Sequence, residues 1–312
     1  MSVSLDFHPV SFSDSEVVKR YMSAGGEGSC QHSFVSMISY SEKYGDSVFE
    51  DNGILYTLRS RLCNDDFRVY LAPMCIGLDE ETEKEMFALA VSAILEDAHK
   101  RGCKVFFHTL TERTSALLNA KFPDRFTFTE RRDMAEYICL TRRMATLSGQ
   151  DLKTKRKEVN RIHRTYGGRL SSSVICPDDF DEILAFEDDW LRANSSDPGF
   201  ATLKLEERMI RFQLEHFEEL SIAGVVIRVD GNVVAFSYGS RLNDDYFDGI
   251  AQKGSKSVPN ISRLVFQEAV LKAMTGFKYV NMEEDVGDPG LRNMKMLYHP
   301  DILLKKFDVR EI

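Results

Sequence analysis

The chain has 312 residues, 43% of them hydrophobic and 29% charged, and a formal net charge of −9. It can bury a sizeable core and is long enough for two domains, and this composition excludes a disordered or fibrous chain. The acidic total argues against non-specific coating of nucleic acid but leaves room for a local basic groove.

In chain order, the first half reads as a helix over Ser13–Ala24, a helix over Gln31–Tyr44, and a hairpin over Ser47–Arg61 that turns at Asn52-Gly53. A strand over Phe67–Met74 leads to a long amphipathic helix, Asp79–Arg101. The strand Lys104–Thr109, a helix over Glu112–Ala120 and a β-rich stretch from Phe126 to Leu140 follow. Between the halves, Thr141–Arg169 is the most basic segment of an acidic chain. Its helix, 151–166, carries Lys153, Arg156, Lys157, Asn160 and Arg164 at three- and four-residue steps, so that they share one polar stripe. That stripe reads either as a solvated helix face or as an anion groove for the phosphates of a nucleotide-bearing donor.

The second half repeats the order of elements. Helices over Asp178–Ala193 and Leu203–Leu220 precede a hairpin, Ile222–Leu242, turning at Asp230-Gly231. The strand Tyr246–Gln252 leads to a helix over Asn260–Met274. Gly102 and Lys104 match Gly276 and Lys278 at a common offset of 174. The repeated order predicts two copies of one α/β unit, 1–130 and 131–312, each a mixed central sheet flanked by helices. Trp190 reads as helix core, Glu206-Glu207 as a solvated helix start, and Arg192–Phe200 as a loop able to close over a groove.

The chain then reaches its densest chemistry. A short β-prone run, Phe277–Val280, meets three acids, Glu283-Glu284-Asp285, and turns through Gly287–Gly290 into a helix with Asp288 and Pro289 at its start. Arg292 and Lys295 share one face of that helix, Leu291, Met294 and Leu297 form an apolar stripe, and Tyr298 follows. These charges read either as structural ion pairs or as a site at the carboxyl end of a strand, where open α/β sheets usually bind ligands.

Six cysteines stand far apart, without a C-x-x-C pair or a His–Cys cluster, so no metal site is expected. With no leader-like pattern in Met1–Val10 and no apolar run long enough to cross a bilayer, the expectation is a cytoplasmic protein with no transmembrane segment.

Three stretches resemble one known family: V-N-M-E-E-D-V-G-D-P-G-L-R-N-M-K-M-L-Y-H-P, G-N-V-V-A-F-S-Y-G-S at 231–240 and L-K-T-K-R-K-E-V-N-R-I at 152–162. The chain is similar to bacterial proteins related to the C-terminal catalytic domain of phosphatidylglycerol lysyltransferase. The resemblance implies two tandem GNAT-type acyltransferase units, an architecture shared with the Fem-type transferases, which move an amino acid from aminoacyl-tRNA to an amine. It places Asn281, Glu283, Glu284, Asp285, Gly287, Gly290, Arg292 and Lys295 at motif positions, Lys153, Arg156 and Asn160 on the basic helix, and Tyr298 at the tyrosine that often serves GNAT enzymes as general acid. The usual glycine-rich cofactor loop is replaced by Gln252–Asn260, in which Lys253, Gly254, Ser255 and Asn260 are the candidates for holding phosphate at a helix N-terminus.

The implied function is transfer of an acyl or aminoacyl group from acyl-CoA or the acceptor end of an aminoacyl-tRNA to an amine or hydroxyl, on a small molecule or a lipid headgroup. Glu283 or Glu284 would be the base, Asp285 would orient Arg292 or Lys295, and Tyr298 would be the acid. Two other readings stand beside it: a GNAT-like shell that binds a ligand without chemistry, and a conventional acetyl-CoA N-acetyltransferase.

Overall fold

The computed structural model describes residues 5–25, 27–77, 79–196 and 199–312. The strands are β1 (His8–Pro9), β2 (Asp46–Asp51), β3 (Ile54–Arg59), β4 (Phe67–Tyr70), β5 (Met74–Cys75), β6 (Lys104–Thr111), β7 (Phe126–Glu130), β8 (Glu136–Leu140), β9 (Leu170–Val174), β10 (Ile222–Val229), β11 (Asn232–Arg241), β12 (Tyr246–Gly254), β13 (Tyr279–Glu284), β14 (Ile302–Leu304) and β15 (Lys306–Glu311). The helices are α1 (Ser15–Gly25), α2 (Phe34–Ser39), α3 (Ser41–Tyr44), α4 (Glu80–Lys100), α5 (Glu112–Lys121), α6 (Thr141–Thr146), α7 (Lys153–Tyr166), α8 (Phe180–Ala193), α9 (Phe200–Glu215), α10 (Ile261–Lys272) and α11 (Pro289–Met296). The helix expected over Gln31–Tyr44 is instead a short 3-10 turn followed by α2 and α3. Ser33 caps the first break by accepting from the Ser36 amide.

The chain divides into two compact units. The first comprises Met1–Glu136, Glu284–Arg292 and Leu303–Ile312, and the second Tyr137–Glu283 and Asn293–Ile302. In the first unit the sheet order is β1-β2-β3-β4-β6-β15-β7, with β5 alongside β3. Its one parallel pairing described is β4 with β6, the others being antiparallel. The hairpin β2–β3 turns where sequence patterning places it, because Asn52 and Gly53 accept φ of 49° and 76°. Helix α4 begins at Asp79, whose carboxylate accepts from the Thr82 amide at 2.8 Å, with three glutamates in the first turn where the helix dipole favours anions. Its Phe87, Val91, Ile94 and Ala98 pack with Tyr70, Val105, Phe107 and Val309 into one core.

The second sheet has the order β14-β8-β13-β12-β11-β10-β9 and again one parallel pairing described, β12 with β13. Its core gathers Val225, Ile227, Ala235 and Phe247 from the strands with Leu264, Val265 and Ala269 of α10 and Val159 and Ile162 of α7. Between Tyr238 and Ser240 the ladder of β11 on β12 slips by one residue, at Gly239. A Cβ there would lie 1.7 Å from the Asp248 carbonyl, so only glycine allows this approach.

The two sheets match element for element. Each has an antiparallel hairpin, a parallel pair bridged by a helix, and one further strand inserted next to that pair: β15 between β6 and β7, and β8 between β13 and β14. The inserted strand comes from the other half of the sequence in each case.

Candidate functional site

Strand β13 runs to Glu284, so the first two of the three acids are strand residues, where the sequence pattern ended the strand at Val280. The strand lies between β8 and β12, and the ladder satisfies its backbone on both edges, which outweighs the weak strand preference of glutamate. Asn281 is wholly buried beside its neighbour Asp248 on β12. Its side-chain oxygen accepts from the Glu283 amide at 2.8 Å, and Glu283 takes left-handed backbone at φ 56°. This kink falls one residue before the end of the strand and sets the direction in which Glu284 leaves it. Glu284 is half-buried and accepts from the Cys30 thiol at 3.5 Å.

Asp285 is wholly buried and receives several donors. Arg292 binds it through two N–H groups, each at 2.8 Å; Arg132 donates at 3.1 Å and the Gly287 amide at 2.9 Å. Charge-assisted bonds from a bidentate guanidinium are the strong kind, and they fix the turn between strand and helix. The expectation that Asp285 engages Arg292 or Lys295 thus finds Arg292. The structural reading of these charges as ion pairs holds for this pair.

Helix α11 is capped by Asp288, whose carboxylate accepts from the Leu291 amide at 2.6 Å. Its buried face differs from the apolar stripe read from sequence: Lys295 and Tyr298 are buried, and Met296 and Leu297 exposed. Met294 alone of the expected stripe packs against the second unit's core. The Lys295 ammonium lies 5.8 Å from the centre of the Tyr137 ring. Tyr298 meets Phe266 edge-on at 5.0 Å and carries the Lys155 ammonium over its face at 4.0 Å. Burial raises the Tyr298 hydroxyl well above its ordinary pKa, which keeps it protonated. Arg292 belongs to the first compact unit, and Lys295 and Tyr298 to the second.

On α7 the stripe Lys153, Lys157, Asn160 and Arg164 is exposed, while Arg156 turns back to the carbonyls of Leu147 and, at 3.4 Å, Gly149. Arg156 therefore closes the turn after α6. Among the candidates for the donor loop, Lys253 and Gly254 extend β12, the Ser255 amide donates to the Val234 carbonyl at 2.8 Å, and Asn260 caps α10 from left-handed backbone, accepting from Arg263 at 2.5 Å.

Lys253 is the second centre of charge, and sequence patterning missed its partners. Its ammonium is 2.6 Å from Glu206, 3.7 Å from Glu187 and 3.8 Å from the centre of the Trp190 ring. Glu206 is thus an ion-pair partner rather than a solvated residue, and Trp190 is half-buried, covering that ammonium. Glu187 is fully buried and its carboxyl is pushed up to about 7 by loss of water. One signal for it existed: an acid four residues after Ile183, on the buried stripe of α8. Nearby, the Tyr238 hydroxyl donates to Gln213 at 2.7 Å. Of the loop expected over Arg192–Phe200, Asp197 and Pro198 lie outside the described residues.

In the first unit, Cys30 and the carboxylates of Glu136 and Glu284 offer atoms within 4.8 Å of one another. Lys306, 2.6 Å from Glu136, supplies positive charge to that group. Among the described residues no helix is long and apolar enough to cross a membrane.

Comparison with solved structures aligns the whole chain. A conserved protein of unknown function from Bacteroides thetaiotaomicron shares 27% identity at a TM-score of 0.90, covering 99% of this chain and 100% of that one. The C-terminal domain of a putative lysylphosphatidylglycerol synthetase from Agrobacterium fabrum shares 14% at 0.67, covering 97% and 93%. L-PGS from Bacillus licheniformis shares 17% at 0.64, covering 96% and 92%. The fold is that of two tandem GNAT-type units, mixed α/β sheets flanked by helices, and FemX shares it at a TM-score of 0.53. No curated protein matches the chain. The family model described as phosphatidylglycerol lysyltransferase, C-terminal, matches residues 67–310, and the chain belongs to that family.

Proposed function

We propose that this protein transfers an aminoacyl or acyl group from a nucleotide-bearing donor, aminoacyl-tRNA or acyl-CoA, to an amine or hydroxyl acceptor such as a small molecule or a lipid headgroup. Membership of the family and the GNAT-type fold support a transferase of this kind. The observation that carries the site is the fixed turn at Asp285. Arg132, Arg292 and the Gly287 amide hold the Asp285 carboxylate and the Asp288 amide holds its carbonyl, which fixes the residue directly after Glu284. A carboxylate on so rigid a mount suits the task of taking a proton from the acceptor nucleophile.

In this reading Glu284 is the base, with Glu283 beside it, and Asp285 positions Arg292. Asn281, Arg292 and Lys295 bind substrate, and Tyr298 gives a proton to the leaving oxygen or sulfur. The exposed stripe Lys153 and Asn160, with Arg156, meets donor phosphates. Lys253 is already held by two carboxylates, which favours aminoacyl-tRNA over a donor gripped by the 252–260 loop. Incubation of the full chain with aminoacyl-tRNAs or acyl-CoA, and with amines or phosphatidylglycerol vesicles, tests this. Transfer that falls about 100-fold or more in Glu284→Gln, at unchanged melting temperature, is expected. Turnover unchanged from the parent in both Glu284→Gln and Arg292→Ala would remove the site.

A further inference from the structure

The first sheet ends in β1 and β7, and the second in β14 and β9. An unpaired edge offers a row of amides and carbonyls to any other strand, and proteins ordinarily blunt it. Three of these edges are blunted. Strand β1 is two residues long and ends in Pro9, and β14 has three residues. On β9 the Lys272 ammonium donates to the Ser172 carbonyl at 2.7 Å, on the side turned away from β10.

Strand β7 carries none of these devices. It runs five residues, Phe-Thr-Phe-Thr-Glu, rich in strand formers, without proline or lysine, and its register on β15 advances one residue for one. The Arg131 amide donates to the Lys306 carbonyl and the Ile312 amide to the Arg125 carbonyl, so the odd-numbered residues turn their backbone toward β15. Phe126, Phe128 and Glu130 therefore turn theirs outward, where no hydrogen-bond partner meets them among the described residues. Thr127, Thr129 and Glu130 are exposed, and Phe128 is half-buried against the first unit's core.

We infer that the β7 edge is where a second copy of this chain docks, strand to strand and antiparallel about a twofold axis at Phe128. The outward backbone restricts the register, because Phe126, Phe128 and Glu130 have to face the same three residues of the other copy. Centred on Phe128, the strand is its own complement. Phe128 meets Phe128, each Thr127 meets a Thr129 and each Phe126 meets a Glu130, so aromatic and β-branched pairs form and no like charges stand opposite within the strand. Arg125 and Arg131, which flank it, would face each other, but carboxylates already hold both: Glu311 holds Arg125, and Asp133 and Asp308 hold Arg131. One strand supplies both sides of such an interface, so no second surface is needed. A five-residue edge buries less than a standard interface, which makes the dimer a weak one. This assembly goes beyond the transfer reaction proposed above, since neither Glu284 nor its turn takes part.

Sedimentation equilibrium of the full chain, from micromolar to submillimolar concentration, tests this. The weight-average mass is expected to rise from monomer toward dimer with concentration. Thr127→Lys combined with Thr129→Lys sets cations opposite cations and should weaken the dimer at least tenfold, at unchanged circular dichroism. Thr127→Glu combined with Thr129→Glu should do the same. An equimolar mixture of the two double variants should recover dimer, a result that damage to the fold cannot give. Glu130→Pro, which removes an outward amide and no bond to β15, should weaken association as well. The inference is overturned if the parent stays monomeric throughout, in which case any strand that the edge receives belongs to another protein. It is overturned equally if the lysine variant dimerises as the parent does, or if the mixture stays monomeric. Should the threonine variants fail to fold, Glu130→Pro against the parent decides.

Discussion

Thr109 and Glu283, 174 positions apart, hold the same left-handed backbone, at φ 58° and 56°, near the end of the strand that pairs in parallel within each sheet. Neither residue type adopts that conformation willingly, and threonine, being β-branched, resists it most. Its presence in both repeats shows that the kink belongs to the unit, and only in the second does it carry a glutamate next to a second one.

Replacing Glu283 by glycine separates the kink from the carboxylate. Glycine relieves the strain, so Glu283→Gly should unfold in urea with stability equal to or about 1 kcal/mol above the parent. Transfer activity should nevertheless fall. A variant both less stable and fully active would contradict the placement of Glu283 in the site.

Asp285 has no such freedom. Removing its carboxylate in Asp285→Ala leaves two guanidiniums facing a buried space, and since both arginines keep partial contact with water the cost should be about 3 kcal/mol, at the lower end for a broken buried pair. Equilibrium urea denaturation measures it. A loss under about 0.5 kcal/mol would show that the pairs contribute little, as most surface pairs do.

Lys306 and Glu136 are both fully buried, 2.6 Å apart, with Ser29 donating to Glu136 at 3.0 Å and the Cys30 amide at 3.1 Å. Lys306→Met should destabilise by about 3–5 kcal/mol, because it strands a buried carboxylate. Lys306→Met combined with Glu136→Gln should recover part of that loss, giving a double-mutant cycle with a coupling of at least about 1 kcal/mol. Strict additivity would refute the coupling.

Glu187 predicts a pH dependence of definite sign. Its folded-state value, about 7, lies above the ordinary 4.5, so between those values the native state holds a proton that the unfolded state has lost. Its contribution to stability therefore declines as pH rises from 4.5 to 7. Glu187→Gln should be nearly neutral at pH 4.5 and stabilising by on the order of 2 kcal/mol at pH 8, with Glu206 still holding Lys253. Urea curves at the two pH values check it; an equal effect at both would be wrong for this reading.

His108 works in the opposite direction. Burial, then the Arg59 guanidinium, depresses it to about 2, and its neutral Nδ1 accepts from Arg59 at 2.7 Å. Below 6.5 the unfolded chain takes up a proton that the native state refuses, so stability drains away as the solution is acidified. His108→Gln should flatten the loss between pH 6 and pH 4 by about 2–3 kcal/mol, read from denaturation at each pH.

Much of this molecule was legible in its sequence because it depends on neighbours along the chain. The turns at Asn52-Gly53 and Asp230-Gly231 demand positive φ, the cap at Asp288 sits three residues from the amide it binds, and the basic stripe of α7 follows from helical spacing. The duplicated order of elements was readable for the same reason, and the acidic stretch at 283–285 was visible as a rare density of charge.

What the sequence could not settle is which side of an element faces inward and which distant group waits there. Lys295 and Lys155 look like surface cations by composition, yet tertiary packing buries both, and Glu187 reads as one acid among several on α8 until β12 brings Lys253 to it. Nor does local pattern say that β15 and β8 are inserted into the sheet built by the other half of the chain. Local geometry is fixed by steric and hydrogen-bonding rules that act over a few residues; burial, and the pairing it compels, depends on the whole chain closing around a charge.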